Sequence, residues 1–344
     1  MAVRLRQPSP SVERSSPSVK RSPSVELDET RATKDGGRKA ALAAVDYTAA
    51  LIDGPWEHQF VAANGHRFHV AIAGPKKAPL VVVLHDFGQF WWAWRLVIPM
   101  LADAGYRVAA LDLRGVAASD KPPHGYDIPS RTRDVAGVIR SLGAASAVVV
   151  GSGTSGEVAW AMGALQPAIT QAVGALGCPH PARLHHGFLK TLTAEGRKLF
   201  ALAQIPTLPE KRLLNTNLLD DILATGAAAP FPAAVVEKYR EVIAIPFAAH
   251  NSVEALRWLA RSAPRPDGQR YRLALQRPLD IPALQLHGAD DGLVQPDDVF
   301  AEASALCRNL TYELLPRVGH YLAEEAPADT GQALTDWLSA TQGG

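Results

Sequence analysis

The stretch that decides the fold is Val148–Gly156, with the sequence VVVGSGTSG. A run of valines leads into a glycine-rich turn, and the helix-like sequence EVAWAMGAL (Glu157–Leu165) follows it. This order is typical of a nucleophile elbow, a sharp strand-to-helix turn that lifts one reactive side chain out of a sheet. The tip of the turn is Gly153, which has no side chain. The pattern therefore predicts the scaffold of a reactive site whose nucleophile position is vacant.

The same turn also spells G-x-G-x-x-G through Gly151, Gly153 and Gly156. A dinucleotide site needs an acidic residue about 20 positions further on, which would bind the ribose hydroxyls. After Glu157, however, the next acidic residue is Glu195. The motif also follows several strands rather than the first one. We therefore expect no dinucleotide and, more generally, no cofactor.

The composition indicates a globular protein. The chain has 344 residues, of which 47% are hydrophobic. No apolar run is long enough to span a bilayer, and no apolar stretch follows the first arginines as in a secretory signal. Cys178 and Cys307 lie far apart and are expected to be reduced thiols. No Cys or His cluster has structural-zinc spacing, so no metal site is predicted. The expected location is cytoplasmic, without an integral membrane segment.

Charge is distributed unevenly along the chain. Residues 1–39 contain nine Lys/Arg and five Asp/Glu, whereas the remainder contains 26 and 29. The body therefore gives no electrostatic reason to expect a nucleic-acid partner. A Ser-Pro-Ser-Val sequence begins at Ser9, Ser16 and Ser22. Such a segment cannot form a core, so residues 1–45 are predicted to be a disordered, basic, Ser/Pro-rich tail. The oligomeric state is left open.

Strand and helix patterns alternate through most of the body. Asn64-Gly65 predicts a hairpin turn between two strands. Apolar β-runs, among them Leu80–Leu84 and Thr170–Leu176, alternate with helical stretches such as Ala93–Ala104. This alternation predicts the α/β class, a mainly parallel sheet with helices on both faces. From Pro181 to Arg277 the pattern changes to helices and prolines. The predicted organisation is a core of residues 46–181 and 278–344, with a helical lid of residues 182–277 inserted over one end of the sheet.

Several longer stretches carry a family resemblance. The segment from His85 to Ser130, the elbow region, and the motifs LQLHGADDGLV and VGHYLAEEAP occur in the order typical of one superfamily. Over residues 55–344 the chain resembles the α/β-hydrolases, and within them the branch of epoxide hydrolases and haloalkane dehalogenases. This resemblance implies an α/β-hydrolase fold with a cap over the site.

The resemblance also implies a mechanism. In that branch an elbow carboxylate attacks carbon and forms an ester, and a histidine oriented by an acid activates water to hydrolyse it. His320 in VGHYL matches the histidine, and Asp291 in HGADD matches the acid, with Asp290 as the weaker candidate. Phe87 and Thr154 match the two residues whose backbone N–H groups stabilise the oxyanion.

Four positions depart from the family pattern. Gly153 stands where the nucleophilic aspartate is expected, and Thr154 stands where dehalogenases have a halide-binding tryptophan. The oxyanion motif H-G-F-P is replaced by a sequence in which Asp86 follows His85, and the lid motif Y-R-W begins with Leu256. Tyr239 and Tyr271 remain as candidate lid tyrosines.

Three residues are alternative nucleophiles. Thr154 would be the tip if the elbow slipped by one residue, although β-branching disfavours strained turns. Ser152 has the bulky Val150 where a small residue is needed. Asp86 could be a relocated carboxylate that works with His320, but it could also be a solvated loop residue.

Two functional hypotheses follow. In the first, the protein is an enzyme that uses His320 and Asp291 on a small apolar molecule, without classical epoxide hydrolase activity because the elbow aspartate is absent. In the second, it is a non-catalytic protein of the same fold that binds a ligand or a partner.

Overall fold

The structure is a computed structural model that describes residues 3–5, 45–183, 189–296 and 300–342. Most of the predicted tail lies outside these ranges. Three of its residues, Val3–Leu5, form a short strand that pairs in parallel with Tyr312–Leu314 at one edge of the sheet. This short strand differs from the expectation of a tail without regular structure.

A single sheet of nine strands forms the centre of the described chain. The strands are β1 (Val3–Leu5), β2 (Glu57–Ala63), β3 (His66–Ala73), β4 (Leu80–Leu84), β5 (Arg107–Leu111), β6 (Ala147–Ser152), β7 (Thr170–Leu176), β8 (Ala283–Gly288) and β9 (Leu310–Leu315). Their order in the sheet is β1-β9-β8-β7-β6-β4-β5-β3-β2. Strand β3 pairs antiparallel with β2 and β5, and all other neighbours pair in parallel. The predicted α/β class and mainly parallel sheet are confirmed.

The valine runs explain why the central strands form. In β4, Val81 and Val83 contribute to the core on one face of the sheet, while Val82 and Leu84 contribute to the core on the other. Side chains alternate between faces along a strand, so a strand covered on both faces must be apolar at every position. Helices cover both of these faces.

The hairpin between β2 and β3 follows from its turn residues. Asn64 has φ 51° and Gly65 has φ 79°. Two consecutive left-handed residues give the turn whose twist matches that of the flanking strands, and Asn-Gly is its preferred pair. The hairpin sets the register in which Glu57 pairs with Ile72.

Twelve α-helices lie wholly within the described ranges. They are α1 (Ile98–Asp103), α2 (Ile128–Ser141), α3 (Gly156–Leu165), α4 (Ala194–Ala203), α5 (Leu208–Asn215), α6 (Leu218–Gly226), α7 (Ala233–Ile243), α8 (Ala248–Arg261), α9 (Pro266–Leu275), α10 (Phe300–Leu306), α11 (Leu322–Glu325) and α12 (Pro327–Gln342). Helix α2 begins where the Asp127 side chain accepts a hydrogen bond from Ser130 N–H, a strong N-cap arrangement. In the part of the chain that is described, none of the helices is both long and apolar enough to cross a membrane.

The sheet order determines where a site can form. From β4 the chain moves to β5 on one side, and it later returns to β6 on the other side of β4. At such a reversal the loops after the two neighbouring strands diverge and leave a crevice at their carboxyl ends. Asp86 follows β4 and Gly153 follows β6. Helices α4 to α9 form the helical segment between β7 and β8, and four of them, α4, α5, α6 and α8, contribute about half of the residues that line the cavity at this end.

Candidate active site

Four loops bring their residues together at the carboxyl edge of the sheet. Asp86 comes from the loop after β4, and Gly153 comes from the turn between β6 and α3. Asp291 comes from the loop after β8, and His320 from the loop after β9. Asp86, Asp291 and His320 are each at most 6% exposed. The three side chains form one buried hydrogen-bonded chain.

The predicted elbow makes a tight turn at its tip, with a backbone conformation that suits glycine. Gly153 has φ 49°, in the left-handed region, and opens a short turn that leads into α3. A Cβ atom built on Gly153 would lie 2.1 Å from Asp86 Cγ and 2.2 Å from each carboxylate oxygen. The Asp86 carboxylate therefore occupies the place where a side chain of residue 153 would begin.

The Asp86 carboxylate is held by four donors. Its Oδ1 atom accepts hydrogen bonds from Phe87 N–H and Thr154 N–H, each at 2.6 Å, and from the Thr154 hydroxyl at 2.9 Å. Its Oδ2 atom lies 3.1 Å from His320 Nε2. Asp86 is thus not a solvated loop residue, since its side chain is buried. The two N–H groups predicted to form an oxyanion site converge on this one oxygen.

The structure also places Asp291 beside His320. The Nδ1 atom of His320 lies 2.8 Å from Asp291 Oδ2. The other oxygen of Asp291 accepts hydrogen bonds from Leu293 N–H and Val294 N–H, which fixes the carboxylate. Asp290, the weaker candidate, is exposed. The imidazole ring therefore lies between two carboxylates, one at each nitrogen.

The charges of Asp86, His320 and Asp291 stabilise one another. Burial alone would raise the pKa of Asp86, but the hydrogen bond and charge of His320 and the N–H groups of Thr154 and Phe87 hold it below its usual value. Burial alone would lower the pKa of His320, yet Asp291 and Asp86 hold it well above its usual value. At neutral pH the resting site is an imidazolium between two carboxylates.

A largely apolar cavity of about 150 Å³ opens above Asp86 and His320. Cavities of this volume hold molecules about the size of benzene. Leu256 lies in its wall, as predicted for a lid residue, although it cannot donate a proton. The other apolar wall residues drawn from the helical segment include Leu199, Phe200, Leu202, Leu213, Leu218, Ile222 and Val253.

Comparison with known proteins agrees with this geometry. The sequence profile of the family described as alpha/beta hydrolase fold matches residues 79–327. The chain belongs to this family. It is 29% identical over 293 residues to the AB hydrolase superfamily protein YfhM of Bacillus subtilis, covering 81% of this chain and 97% of that protein. It is 26% identical over 317 residues to epoxide hydrolase 3 of Xenopus tropicalis, covering 88% of this chain and 82% of that protein.

Solved structures show the same fold. An epoxide hydrolase from an endophytic Streptomyces superimposes with a TM-score of 0.73 at 23% identity, over 85% of this chain and 97% of that one. A haloalkane dehalogenase loop variant from Bradyrhizobium elkanii gives a TM-score of 0.71 at 22% identity, over 84% and 98%. This member of the alpha/beta hydrolase family therefore shares its fold with an epoxide hydrolase and a haloalkane dehalogenase.

Within this alpha/beta hydrolase, the predicted lid tyrosines lie outside the cavity wall. Tyr239 is fully buried, packs against Phe90 and Trp92, and donates its hydroxyl hydrogen to Glu324. The expectation that Tyr239 faces a substrate is wrong because its hydroxyl is used in the core. Tyr271 is also buried, and its hydroxyl donates to Glu157 Oε1 at 2.7 Å.

Two of the alternative nucleophiles are poorly placed in this alpha/beta hydrolase. Ser152 is buried at the end of β6, outside the cavity wall. Thr154 lies in the wall, but its hydroxyl donates to Asp86 rather than to His320. Asp86 combines a place in the cavity wall with direct contact to His320.

Sequence reasoning missed two charged residues near the site. Glu157 is the second residue of α3, is 3% exposed and lies in the cavity wall. Burial raises its pKa to about 7, against the lowering effects of Tyr271 and Arg131. Arg131 is buried on α2. Sequence patterns could have indicated both residues. Glu157 is the charged residue at the start of an otherwise apolar helix, and Arg131 precedes Val135 and Val138 at the spacing that places all three on the buried face of a helix.

One group of side chains has metal-ligand types. Glu210, His250 and Glu254 place one ligand atom each within 4.8 Å of one another. Arg257 already pairs with both carboxylates, at 2.8 Å from Glu254 and 3.2 Å from the second oxygen of Glu210. The guanidinium balances the negative charge that would attract a cation, so this cluster is best described as an ion-pair network.

Proposed function

We propose that this protein is a hydrolase of small, mainly apolar molecules and that Asp86 is its carboxylate nucleophile. One observation carries the proposal: Asp86 Oδ1 accepts both oxyanion N–H groups while Oδ2 faces His320. In a nucleophilic carboxylate, one oxygen attacks the carbon of the substrate, and the other is held by donors where negative charge later develops. The relatives named epoxide hydrolases support a substrate with an electrophilic carbon bound to oxygen.

In the first step, Asp86 Oδ2 attacks the electrophilic carbon and the carbon–oxygen bond of the epoxide breaks. An ester then joins Asp86 to the substrate, and the leaving oxygen must take a proton. Glu157 lies in the wall of the same cavity and, with a pKa of about 7, carries a proton in a large fraction of molecules at neutral pH. We assign this proton transfer to Glu157, since neither candidate lid tyrosine reaches the cavity.

In the second step, esterification removes the negative charge of Asp86. The pKa of His320 then falls because one of its two carboxylate neighbours is neutralised. His320 delivers its proton to Glu157 through solvent and becomes a base that takes a proton from water. The resulting hydroxide attacks Asp86 Cγ, and the negative charge develops on Oδ1, where Phe87 N–H and Thr154 N–H already donate. The tetrahedral intermediate then collapses, and the leaving alkoxide takes a proton from His320 and is released as the diol. The Asp86 carboxylic acid formed in this step transfers its proton to His320, which restores the ionised Asp86 and the protonated His320.

The same geometry argues against a serine-esterase type of reaction. An acyl substrate would need the two N–H groups for its own carbonyl oxygen. Those groups are occupied by Asp86 Oδ1, and displacing a buried carboxylate from them would be costly. The helical segment over the cavity is proposed to act as a lid that excludes bulk water from the ester.

Oxygen labelling tests the assignment. A single turnover of an epoxide in H₂¹⁸O, with enzyme in excess, should leave ¹⁸O in the peptide that contains Asp86, because hydroxide attacks Asp86 Cγ. His320→Gln should accumulate the ester as a mass increase equal to that of the epoxide, and Asp86→Asn should form none. If ¹⁸O were found in the diol alone, Asp86 would not be the nucleophile and would instead act as a base. Ligand binding without turnover or adduct would support the non-catalytic binding protein instead.

A further inference from the structure

Arg131 is a buried cation beside the proposed active site. It lies in the first turn of α2 and is 4% exposed. Burial lowers the pKa of Arg131 to about 10, with the negative charges around it opposing the effect. Removing a guanidinium from water is expensive unless an anion accompanies it. The buried guanidinium of Arg131 therefore needs an anion close to it that balances its charge.

The nearest carboxylates of the same helix are already occupied. Asp134 accepts two hydrogen bonds of 2.7 Å from Arg114, one on each oxygen. Asp127 accepts two of 2.7 Å from Ser130, from its N–H and its hydroxyl. Within residues 3–5, 45–183, 189–296 and 300–342, no hydrogen bond or ion pair of the Arg131 guanidinium is found, and its Nε is buried without a partner.

Arg131 faces a small side pocket that adjoins the main cavity. The side pocket has a volume of about 20 Å³, enough for one water-sized group. Its wall also includes Ser155 and Ser252, and it shares Asp86, Phe87 and Thr154 with the main cavity. A group bound at Arg131 would therefore belong to a molecule whose remainder lies next to Asp86.

We propose that this side pocket is an anion subsite in which Arg131 binds one oxygen of a substrate carboxylate, the rest of which lies at the junction with the main cavity. The substrate would then be a small carboxylic acid with an apolar body in the main cavity and its electrophilic carbon close to the carboxylate. Guanidinium and carboxylate groups form strong charge-assisted pairs, above all when both are withdrawn from water. This assignment rests on the proposed function only in calling the ligand a substrate.

The charge of Asp86 does not prevent an anion from binding nearby. Its Oδ1 accepts two N–H groups and a hydroxyl, and its Oδ2 lies against the protonated His320. His85, also in the wall of the side pocket, accepts Leu113 N–H at its Nε2 and directs its Nδ1 to the Asp86 carbonyl oxygen. It is therefore neutral, and Arg131 provides the positive charge of this pocket.

The test compares a carboxylate with its uncharged counterpart. Calorimetry would measure binding of 3-methylbutanoate and of 3-methylbutanamide, which have nearly the same shape, to the wild type, Arg131→Met and Arg133→Met. Arg133 is the matched control because it lies on the same helix, is exposed and donates to Ser130. We expect the wild type and Arg133→Met to prefer the carboxylate by on the order of tenfold or more. Arg131→Met should show no preference.

Thermal unfolding separates binding from folding. If Arg131 lacks a partner in the free protein, Arg131→Met should unfold at the same or a higher temperature than the wild type. A preference for the carboxylate that survives in Arg131→Met would overturn the proposal. Equal binding of the amide and the carboxylate by the wild type would also overturn the proposal. So would a change in binding with added sodium chloride in a wild type that shows no preference for the carboxylate. None of these measurements needs turnover, so they stand apart from the test of Asp86.

Discussion

Residues 86 and 153 share one space in this molecule. The Asp86 carboxylate lies within 2.2 Å of where a side chain at position 153 would start. Two carboxylates cannot both fit there, and they would repel one another if they did. Asp86 after β4 and Gly153 at the elbow therefore depend on each other, because the Asp86 carboxylate fits only where residue 153 has no side chain.

Gly153→Asp should consequently destabilise the protein. The new side chain would overlap the Asp86 carboxylate and bury a second negative charge, so we expect the free energy of unfolding to fall by about 3 kcal/mol or more. Urea denaturation measures this change. Gly143→Asp is the matched control, because Gly143 also has positive φ but a Cβ there meets no atom within 4 Å.

Adding Asp86→Gly to Gly153→Asp should restore most of the lost stability, since it empties the contested space. If Gly153→Asp alone were as stable as Gly143→Asp, the shared space would not exist in solution.

Glu157 should make stability depend on pH. Its pKa is raised from 4.5 to about 7, so between these values the folded state holds a proton that the unfolded state has lost. The free energy of unfolding should therefore fall as pH rises through this window, by about 3 kcal/mol in all. The contribution is fully present below pH 4.5 and lost above pH 7.

Denaturation curves of the wild type and Glu157→Gln at several pH values test this dependence. The fall between pH 4.5 and pH 8 should be about 3 kcal/mol smaller in Glu157→Gln. Glu57→Gln, at an exposed strand position, should follow the wild type. Parallel curves for the wild type and Glu157→Gln would show that Glu157 is not held protonated by the fold.

Local sequence predicted only part of the site. His320 and Asp291 were predicted because the motifs around them resemble those of the catalytic histidine and acid in the α/β-hydrolases, and the structure puts them 2.8 Å apart. Asp86 was only one of three alternatives, since its role depends on contact with Thr154, 68 residues away in the chain. Tyr239 was misplaced because its hydroxyl finds Glu324, 85 residues away. Pairings over such separations depend on the sheet order.

Among the elements, strands were more predictable than helices. The predicted strands at 80–84 and 170–176 have the observed bounds, because uninterrupted apolar runs have few other stable arrangements. The helix predicted at 93–104 is divided: Trp91–Trp94 forms a short 3₁₀ turn, and the α-helix begins at Ile98 with Pro99 in its first turn. Proline suits a helix start, so the break falls just before it.

Arg257 on α8 should control the packing of the helical segment. Its guanidinium donates to Ala203 O at 3.0 Å and to Ile205 O at 2.7 Å, at the end of α4, and it pairs with Glu210 on α5. Arg257→Met leaves the partly buried Glu210 carboxylate and two backbone carbonyl groups without this partner. We expect faster hydrogen exchange in α4 and α5, by on the order of tenfold, with the strands unchanged.

Arg270→Met provides the comparison, because Arg270 is an exposed arginine on the neighbouring α9. Mass-spectrometric hydrogen exchange resolves the helices from the strands. Uniformly faster exchange in the sheet as well would mean that the helical segment and the core open together, contrary to this expectation.

Across the whole molecule, the first 38 residues should contribute little to stability. Only Val3–Leu5 of this segment has described structure, and it pairs at the edge of the sheet beside β9. A three-residue edge strand adds few backbone hydrogen bonds. A chain that starts at Lys39 should therefore unfold within about 3 °C of the full-length protein in a calorimetric scan. A drop of more than about 10 °C would show that the segment packs on the body.

The shared space at positions 86 and 153 also bears on how this site could have arisen from one with its aspartate at the elbow. A chain carrying both aspartates would suffer the overlap, whereas a chain with glycine at both positions would lack the proposed nucleophile. Neither intermediate would keep the proposed activity in full, so selection for turnover would block single steps between the two forms. The exchange would have to pass through a period without that selection, or through two changes fixed together. Descendants should then form a separate lineage in which the two positions change as a pair.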